Sequence, residues 1–293
     1  MIFRDNVLLV ICFSEHAVNR SGGNTMKKLL FVSIFLAFIF SFNTSFSQPK
    51  LIIHLTGGYS LPLGGLAGNI SDLYAEPVPQ TIFPDPKMYE KTGFLFGGDI
   101  KYAFDRKRSI RGVLGFCYSM FFNSHEVNSS FFPAGTLAKR LFRFFTISLG
   151  TEYALFPERR VSPFIGIDVT ENFYNGYVFK YDPEPPNISH PYIKWEAGSR
   201  YGLQFGAGMD IALNRSRSLG IIVGAKYHLI NLFGKAANYS YDFYEQALVD
   251  KEHTSIDEFG NPITVNAMNL QSINFYAGIS FSFMQPKTIN KKK

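Results

Sequence analysis

Residues 271–283 read QSINFYAGISFSF, and their alternation decides the fold. One set of alternate positions is apolar throughout: Ile273, Phe275, Ala277, Ile279, Phe281 and Phe283. The positions between them are small or polar: Ser272, Asn274, Tyr276, Gly278, Ser280 and Ser282. Because a strand places alternate side chains on opposite faces, the stretch predicts a strand with one apolar and one polar face. Lipid covers such an apolar face in a membrane barrel, whereas a soluble sheet needs a second layer of protein.

Seven further segments alternate in the same way. Each has about the 9–11 residues that a tilted strand needs to cross the hydrocarbon layer of a membrane. In the most regular of them, Leu203 and Phe205 lie on the apolar side and Gly202 and Gln204 on the other. With the last segment, the predicted strands cover residues 51–61, 93–104, 110–122, 143–155, 162–171, 201–213, 219–229 and 271–283.

The connections between these segments alternate between short and long. Three are short, polar and rich in arginine: 105–109, 157–161 and 214–218. Four are long: 62–92, 123–142, 172–200 and 231–270. Short periplasmic turns and long extracellular loops are typical of outer-membrane barrels. The sequence therefore predicts an all-β fold: an eight-stranded antiparallel up-and-down transmembrane β-barrel with both chain ends in the periplasm.

Residues 26–47 have the features of a secretory signal peptide. Lys27 and Lys28 form a basic start, an apolar run over 29–42 follows, and Ser45 and Ser47 precede the expected cleavage before Gln48. We interpret residues 1–25 as an upstream extension from a start codon called too early. The remaining chain is predicted to form the barrel over 48–284 and a basic periplasmic tail over 285–293.

Composition and charge exclude several classes of protein. The mean hydropathy of +0.01 argues against a helical membrane protein. The net charge is +6 for the whole chain. Residues 1–47 hold four basic and two acidic side chains, so the mature chain carries +4. Its tail supplies four positive charges from Lys287, Lys291, Lys292 and Lys293. The barrel itself is then near neutral, and no nucleic acid partner is expected.

Charged residues on the polar side of the strands are the main candidate site. Acidic and basic types are nearly balanced, and because an unpaired charge inside a narrow barrel is costly, we expect a salt-bridged plug. Cys117 is the only mature cysteine, so no intramolecular disulfide is expected, and no cofactor or metal site is predicted. The predicted lumen network consists of His54, Asp99, Lys101, Arg111, Glu152, Asp168, Asp210, Lys226 and His228.

Three stretches resemble the broad family of outer membrane protein β-barrel domains. They are GGYSLPLG at 57–64, SPFIGI at 162–167 and the aromatic-ended last strand. The chain is also similar to small eight-stranded barrels of the OmpA and OmpX kind, and its Ser-Gln cleavage junction resembles signals common in Bacteroidota-like bacteria. The resemblance covers about residues 51–283 and implies fold and compartment only. The tail over 284–293 departs from it, since it continues past the terminal aromatic residue.

The long loops contain the remaining candidates. Exposed aromatic residues on proline-rich loops suit contact with an extracellular protein or glycan; they are Tyr74, Phe83, Tyr177, Tyr181, Tyr241 and Tyr244. The alternative is that they pack on each other or join the aromatic girdle at the membrane interface. A base, a hydroxyl and a carboxylate lie close in sequence at His253, Ser255 and Glu258, but mid-loop residues have nothing rigid to hold them as a hydrolase site.

The favoured function is therefore a non-enzymatic structural or surface-interaction protein of the bacterial outer membrane. Expected partners are outer-membrane lipid and lipopolysaccharide, the secretion and barrel-assembly machinery during biogenesis, and an extracellular protein or glycan. The alternatives are a small-solute pore or hydrophobic-ligand carrier, then an outer-membrane hydrolase. A soluble barrel of the lipocalin type is the rival fold, and the many charges on the polar side argue against it. The sequence leaves the oligomeric state open.

Overall fold

The computed structural model describes residues 51–68, 88, 90–105, 107–126, 134–182, 192–233, 245–246, 248, 253–256, 262–265 and 267–283. Their strands are β1 (Leu51–Gly64), β2 (Thr92–Ala103), β3 (Ile110–Glu126), β4 (Leu137–Ala154), β5 (Val161–Asp182), β6 (Tyr192–Ala212), β7 (Leu219–Phe233), β8 (Glu245–Gln246), β9 (His253–Ile256), β10 (Pro262–Val265) and β11 (Leu270–Phe283). The expected signal peptide, upstream extension and basic tail lie outside the described residues. No helix of the described part has the length and apolarity to cross a bilayer.

Eight of the strands form one closed ring. Each of β1 to β6 pairs antiparallel with the next strand along the chain, and β11 pairs antiparallel with both β7 and β1 to close the ring. Closure leaves no edge strand, so the backbone groups of the wall can hydrogen-bond within the barrel. The predicted eight-stranded antiparallel up-and-down barrel is confirmed.

The register sets the tilt of the strands. One row of paired residues that starts at Ile52 returns to β1 at Pro62, ten residues further along. Its members are Ile52, Lys101, Val113, Gly150, Asp168, Gln204, His228, Ser272 and Pro62. With ordinary strand spacing and rise, this shear tilts the strands by about 41° to the barrel axis. Each residue then adds about 2.5 Å of height.

The apolar positions of the strands face outward and the polar ones face inward. Leu55, Phe96 and Ile165 are 60%, 66% and 57% exposed, whereas the inward Lys101 and Arg111 are each 2% exposed. A soluble barrel would bury the first set and expose the second. The rival lipocalin-type fold is therefore wrong, and the surface is that of a transmembrane barrel.

The strands are longer than predicted at one end of the barrel. We call the end with the short connections 104–109, 155–160 and 213–218 the turn end, and the opposite end the loop end. Parts of the predicted loops 123–142 and 172–200 belong to β3, β4, β5 and β6. The 22 residues of β5 span about 55 Å of height, against about 25 Å for an apolar band. The wall therefore continues well beyond the band. The sequence analysis missed this because the outer side of the extra length mixes polar residues such as Lys139 with apolar ones such as Leu137 and Phe173.

The predicted loop 231–270 also contains regular structure. β9 and β10 pair as a two-stranded antiparallel sheet, and β8 lies parallel to β6 through Lys194 and Glu245. Loop residues therefore form backbone pairs near the loop end of the barrel wall.

Candidate functional site in the barrel interior

The barrel interior contains an ionic layer, a polar cavity and an apolar cap at different heights. Nearest the turn end is an ionic layer that consists of His54, Asp99, Lys101, Arg111, Glu152 and Asp210. Above it lies a polar cavity. At the loop end is an apolar group, the loop-end cap, that consists of Leu66, Met88, Phe121, Phe142, Phe144, Tyr174, Trp195, Ile230, Leu248, Met268 and Leu270.

The ionic layer joins four strands through Arg111 and Glu152. Arg111 Nη1 donates to Glu152 Oε1 at 2.9 Å and to Asp210 Oδ2 at 2.6 Å. Glu152 Oε2 accepts from Lys101 Nζ at 2.5 Å. Lys101 Nζ also lies 4.1 Å from the centre of the Phe164 ring. Lys101 and Arg111 are both almost fully buried. Removing one partner would leave a buried unpaired charge, and the free-energy cost of that charge is larger than the stabilisation that the ion pair provides.

His54 bridges two carboxylates within the same layer. Its Nδ1 lies 2.9 Å from Asp99 Oδ1, and its Nε2 lies 3.3 Å from Asp210 Oδ1. The layer thus places two cations, Lys101 and Arg111, and three carboxylates around His54.

A second ion pair lies beside the polar cavity. Lys226 Nζ donates to Asp168 Oδ2 at 2.9 Å and lies 3.5 Å from Gln204 Oε1. The cavity has a volume of about 40 Å³, and its walls include Cys117, Thr146, Ser148, Gln204, Lys226, Asn274 and Tyr276. A polar space of this size holds a few water molecules, not a larger solute. Gly224 leaves room for Tyr276, because a Cβ there would lie 2.5 Å from the Tyr276 hydroxyl oxygen.

His228 belongs to a neutral network between the cavity and the cap. Its Nε2 lies 3.2 Å from Thr170 Oγ1. Asn172 Nδ2 donates to Thr170 Oγ1 and to the Ile230 carbonyl, and its Oδ1 accepts from Thr146 Oγ1 at 2.8 Å. The hydrogen-bonding groups around this histidine are hydroxyl and amide groups. It is therefore not part of the ionic layer.

The loop-end cap is largely aromatic. Phe142 contacts Tyr174 at 5.8 Å and Trp195 at 6.2 Å between ring centres, and Phe121 stacks on Phe144 at 5.7 Å. Aromatic pairs at these separations add to the stability gained from burying their area. The cap fills the interior at the loop end of the barrel.

Connecting segments are tied into the cap by hydrogen bonds. Met88 N donates to the Gly65 carbonyl at 2.7 Å. Asn231 Nδ2 donates to the Met268 carbonyl, and its Oδ1 accepts from Leu270 N. These bonds satisfy backbone groups that enter the barrel, so Met88 and Met268 can pack inside it.

A buried carboxyl group lies at the edge of the cap. Glu90 precedes β2, bridges to Ala67 and is 1% exposed. Burial raises the pKa of Glu90 from 4.5 to about 8, although the nearby Arg140 acts in the opposite direction. The proton should therefore be held at neutral pH, since the desolvation of an ionised carboxylate outweighs the attraction of one cation here.

The structure places the nine predicted lumen residues in three groups. Six of them form the ionic layer, Asp168 and Lys226 pair with each other, and His228 joins the neutral network. No group of histidine, cysteine or carboxylate side chains suited to a metal ion occurs within the described ranges.

Of the loop residues predicted for surface contact or for a hydrolase site, the structure describes four. Tyr177 is half-buried in β5, where it pairs with Leu141 and Lys194, and Tyr181 lies in β5 opposite Ala138. Tyr74, Phe83, Tyr241 and Tyr244 lie outside the described residues. His253 and Ser255 lie in β9, so they belong to a paired strand and not to an irregular loop; Glu258 lies outside the described residues.

Sequence reasoning missed the loop-end cap. Its signal was present, because the inward positions turn from polar to aromatic towards the loop end: Ser119 is followed by Phe121, and Thr146 is preceded by Phe144 and Phe142. Leu66, Leu248 and Met268 could not have been assigned to the cap, since only the tertiary fold brings these segments to the barrel mouth.

Comparison with known proteins finds similar architectures. No protein-family model and no curated protein matches the sequence. Neisserial surface protein A is 12% identical over 81% of this chain and 100% of its own, with a TM-score of 0.43. The outer membrane protein OprG from Pseudomonas aeruginosa is 11% identical over 80% and 96%, with a TM-score of 0.40. The outer membrane protease OmpT from Escherichia coli is 10% identical over 82% and 99%, with a TM-score of 0.35.

The ring of strands and its apolar outer surface define the class of protein. This chain is an eight-stranded transmembrane β-barrel with short turns at one end and long connections at the other. In architecture it is one of the small barrels of the outer-membrane kind.

Proposed function

We propose that this chain is an outer-membrane protein with a closed lumen and a structural or surface-interaction role. The observation that carries the proposal is the filled interior. Among the described residues, ion pairs fill the barrel near the turn end and the aromatic cap fills it at the loop end, with a small polar cavity of about 40 Å³ between them. Such an interior leaves the long connections as the part available to partners.

The distribution of polar and apolar surface supports this location and an orientation for the barrel. Closed barrels with an apolar band are one of two structures that satisfy every backbone group within lipid. The turn end is assigned to the periplasm and the loop end to the exterior, as in bacterial outer-membrane barrels. Lipid and lipopolysaccharide would surround the wall, and an extracellular protein or glycan would meet the loops. Secretion and barrel-assembly machinery would be partners during biogenesis.

The native Cys117 provides a test of the closed lumen. It faces the polar cavity from β3 and also borders an apolar recess of about 280 Å³ on the outer wall, which detergent covers in micelles. A charged, water-soluble reagent must therefore pass the cap or the ionic layer to reach it. The full chain with Cys12→Ser keeps Cys117 as its only thiol. Folded protein in micelles should resist a small cationic methanethiosulfonate reagent, and denatured protein should react completely, as measured by mass spectrometry.

A second thiol controls for the reagent. Ser218→Cys in the same background places a cysteine on an exposed turn, and it should react in the folded state. Fast modification of Cys117 in folded protein would show that solutes enter the barrel. The pore or carrier function would then replace the closed-lumen proposal.

Membrane residence has its own test. The full chain refolded in detergent micelles should migrate faster on a denaturing gel without boiling than after boiling, because the closed barrel resists the detergent. Identical bands, with the protein folding in plain buffer, would contradict the membrane location.

A further inference from the structure

The periplasmic turns form a basic rim around the turn end. Their described residues include six basic side chains, Lys107, Arg108, Arg159, Arg160, Arg215 and Arg217, against two acidic ones, Asp105 and Glu158. The described residues of the rim therefore carry a net charge of +4, from six minus two, and Arg106 in the first turn adds a further positive charge to the sequence of the rim. This contrasts with the interior, where cations and carboxylates are nearly balanced.

Part of this rim is a pocket between the second and third turns. A space of about 290 Å³ is lined by Arg160, Ala212, Leu213, Asn214, Arg215 and Arg217. A deeper recess beside it is lined by Arg159, Arg160, Arg217, Ser162, Ser280 and Ser282, among others. No carboxylate lines the larger space. We call these two spaces the arginine pocket.

The pocket is held in shape by contacts of its own arginines. Arg217 Nη1 donates to the Pro157 carbonyl at 3.3 Å, which joins the two turns. Arg160 Nε donates to the Ala212 carbonyl at 3.1 Å. The Arg159 guanidinium lies 4.5 Å from the centre of the Phe156 ring. These contacts use few of the five N–H donors that each guanidinium carries, so donors remain for an anion.

The arginines of the pocket lack carboxylate partners. Among the ion pairs between described residues, none involves Arg159, Arg160, Arg215 or Arg217. Asp210 lines the deeper recess, but its carboxylate pairs with Arg111 and His54. The positive charge of the pocket is therefore not neutralised by the protein in the part that the structure describes.

Apolar side chains adjoin the pocket on the outer surface. Leu155, Phe156 and Leu213 are 48%, 47% and 47% exposed, and Leu219 is 38% exposed. A ligand that contacts both the arginines and this apolar wall needs an anionic head group and apolar chains. Arginine matches phosphate oxygens with paired donors, and basic groups at a membrane surface attract anionic lipid.

We infer that the arginine pocket binds the phosphate of an anionic phospholipid whose acyl chains lie on the adjoining apolar wall. The inference rests on the proposed membrane location, because only there does a lipid reach the turn end. The inference goes beyond the proposed function, because a closed barrel in a membrane does not by itself require a preference for anionic lipid.

The test measures which lipid the full chain retains. Refolded protein in micelles is offered phosphatidylglycerol and phosphatidylcholine with the same chains in equal amounts, and bound lipid is read by native mass spectrometry. Phosphatidylglycerol adducts should exceed phosphatidylcholine adducts at least about fivefold. The variant Arg159→Gln/Arg160→Gln/Arg215→Gln/Arg217→Gln should bring the two close to parity. Lys107→Gln, which removes a rim charge outside the pocket, should leave the preference unchanged.

Three results would overturn the inference. One is equal retention of both lipids by the unaltered chain, and another is an unchanged preference in the fourfold variant. The third is displacement of the lipid by glycerol phosphate at concentrations equal to those of the lipid, which would indicate a site for soluble anions. For each variant, faster migration of the unboiled sample on the gel shows that the barrel has formed. A failed lipid preference in a folded barrel can therefore be told apart from failure of the membrane location.

Discussion

Glu90 offers a test of the loop-end cap through the pH dependence of stability. Its pKa is raised from 4.5 to about 8 by burial, so the folded protein holds a proton that the unfolded chain releases. The native state therefore binds more protons between pH 4.5 and 8, and the contribution of Glu90 to stability falls as pH rises through this window. The expected slope is about 1.4 kcal/mol per pH unit, or roughly 5 kcal/mol across the window.

The variant Glu90→Gln isolates this effect, because glutamine has a similar shape and does not titrate. Near pH 4.5 the two proteins should be almost equally stable, and at pH 7 the variant should be more stable by roughly 3 kcal/mol. The free energy of unfolding would be measured by denaturant titration in micelles between pH 4.5 and 9. The matched control is Glu196→Gln, which replaces an exposed carboxylate on β6 and should show no such trend.

The opposite slope would refute the reasoning. If Arg140 kept Glu90 ionised, removing the negative charge would strand the arginine, and Glu90→Gln would be destabilised at neutral pH. A difference that stays constant over the whole range would show that Glu90 is not buried in the folded protein.

Three further outcomes are expected. Arg111→Met removes the cation shared by Glu152 and Asp210, and the free energy of unfolding should fall by about 3–5 kcal/mol. A loss below about 1 kcal/mol would indicate that water reaches the ionic layer. Phe142→Ala removes the central ring of the cap and should cost about 3–5 kcal/mol. It should also speed modification of Cys117 in folded protein, whereas an unchanged rate would mean that Phe142 does not block access. The unaltered protein should show negligible steady conductance in planar bilayers at neutral pH, and large stable channels would contradict the closed lumen.

The strand pattern could be predicted from the sequence because it is a local property. Side chains alternate along any strand, so the contrast of Phe275 and Ile279 with Asn274 and Ser280 assigns the faces of β11 without knowledge of its neighbours. The pattern is pronounced because contact with lipid requires an apolar residue at each outward position of a membrane-spanning strand. The number of strands followed from the alternation of short and long connections.

The partners inside the barrel could not be predicted in the same way. Arg111 and Asp210 are 99 residues apart, and they meet because the shear brings the turn ends of β3 and β6 to the same height across a narrow lumen. Lys226 and Asp168 similarly lie 58 residues apart. Pairing across the lumen depends on the register summed around the whole ring, which no single segment encodes.

By itself, the sequence determined which face of each strand meets lipid and how many strands close the ring. Only the tertiary structure decided that the interior is divided between an ionic layer and an aromatic cap. The physical reason is that the first property depends on each residue's hydrophobicity at a fixed two-residue period. The second depends on heights and distances across the lumen, and on connecting segments such as Leu66 and Met88 that enter the barrel from outside its wall.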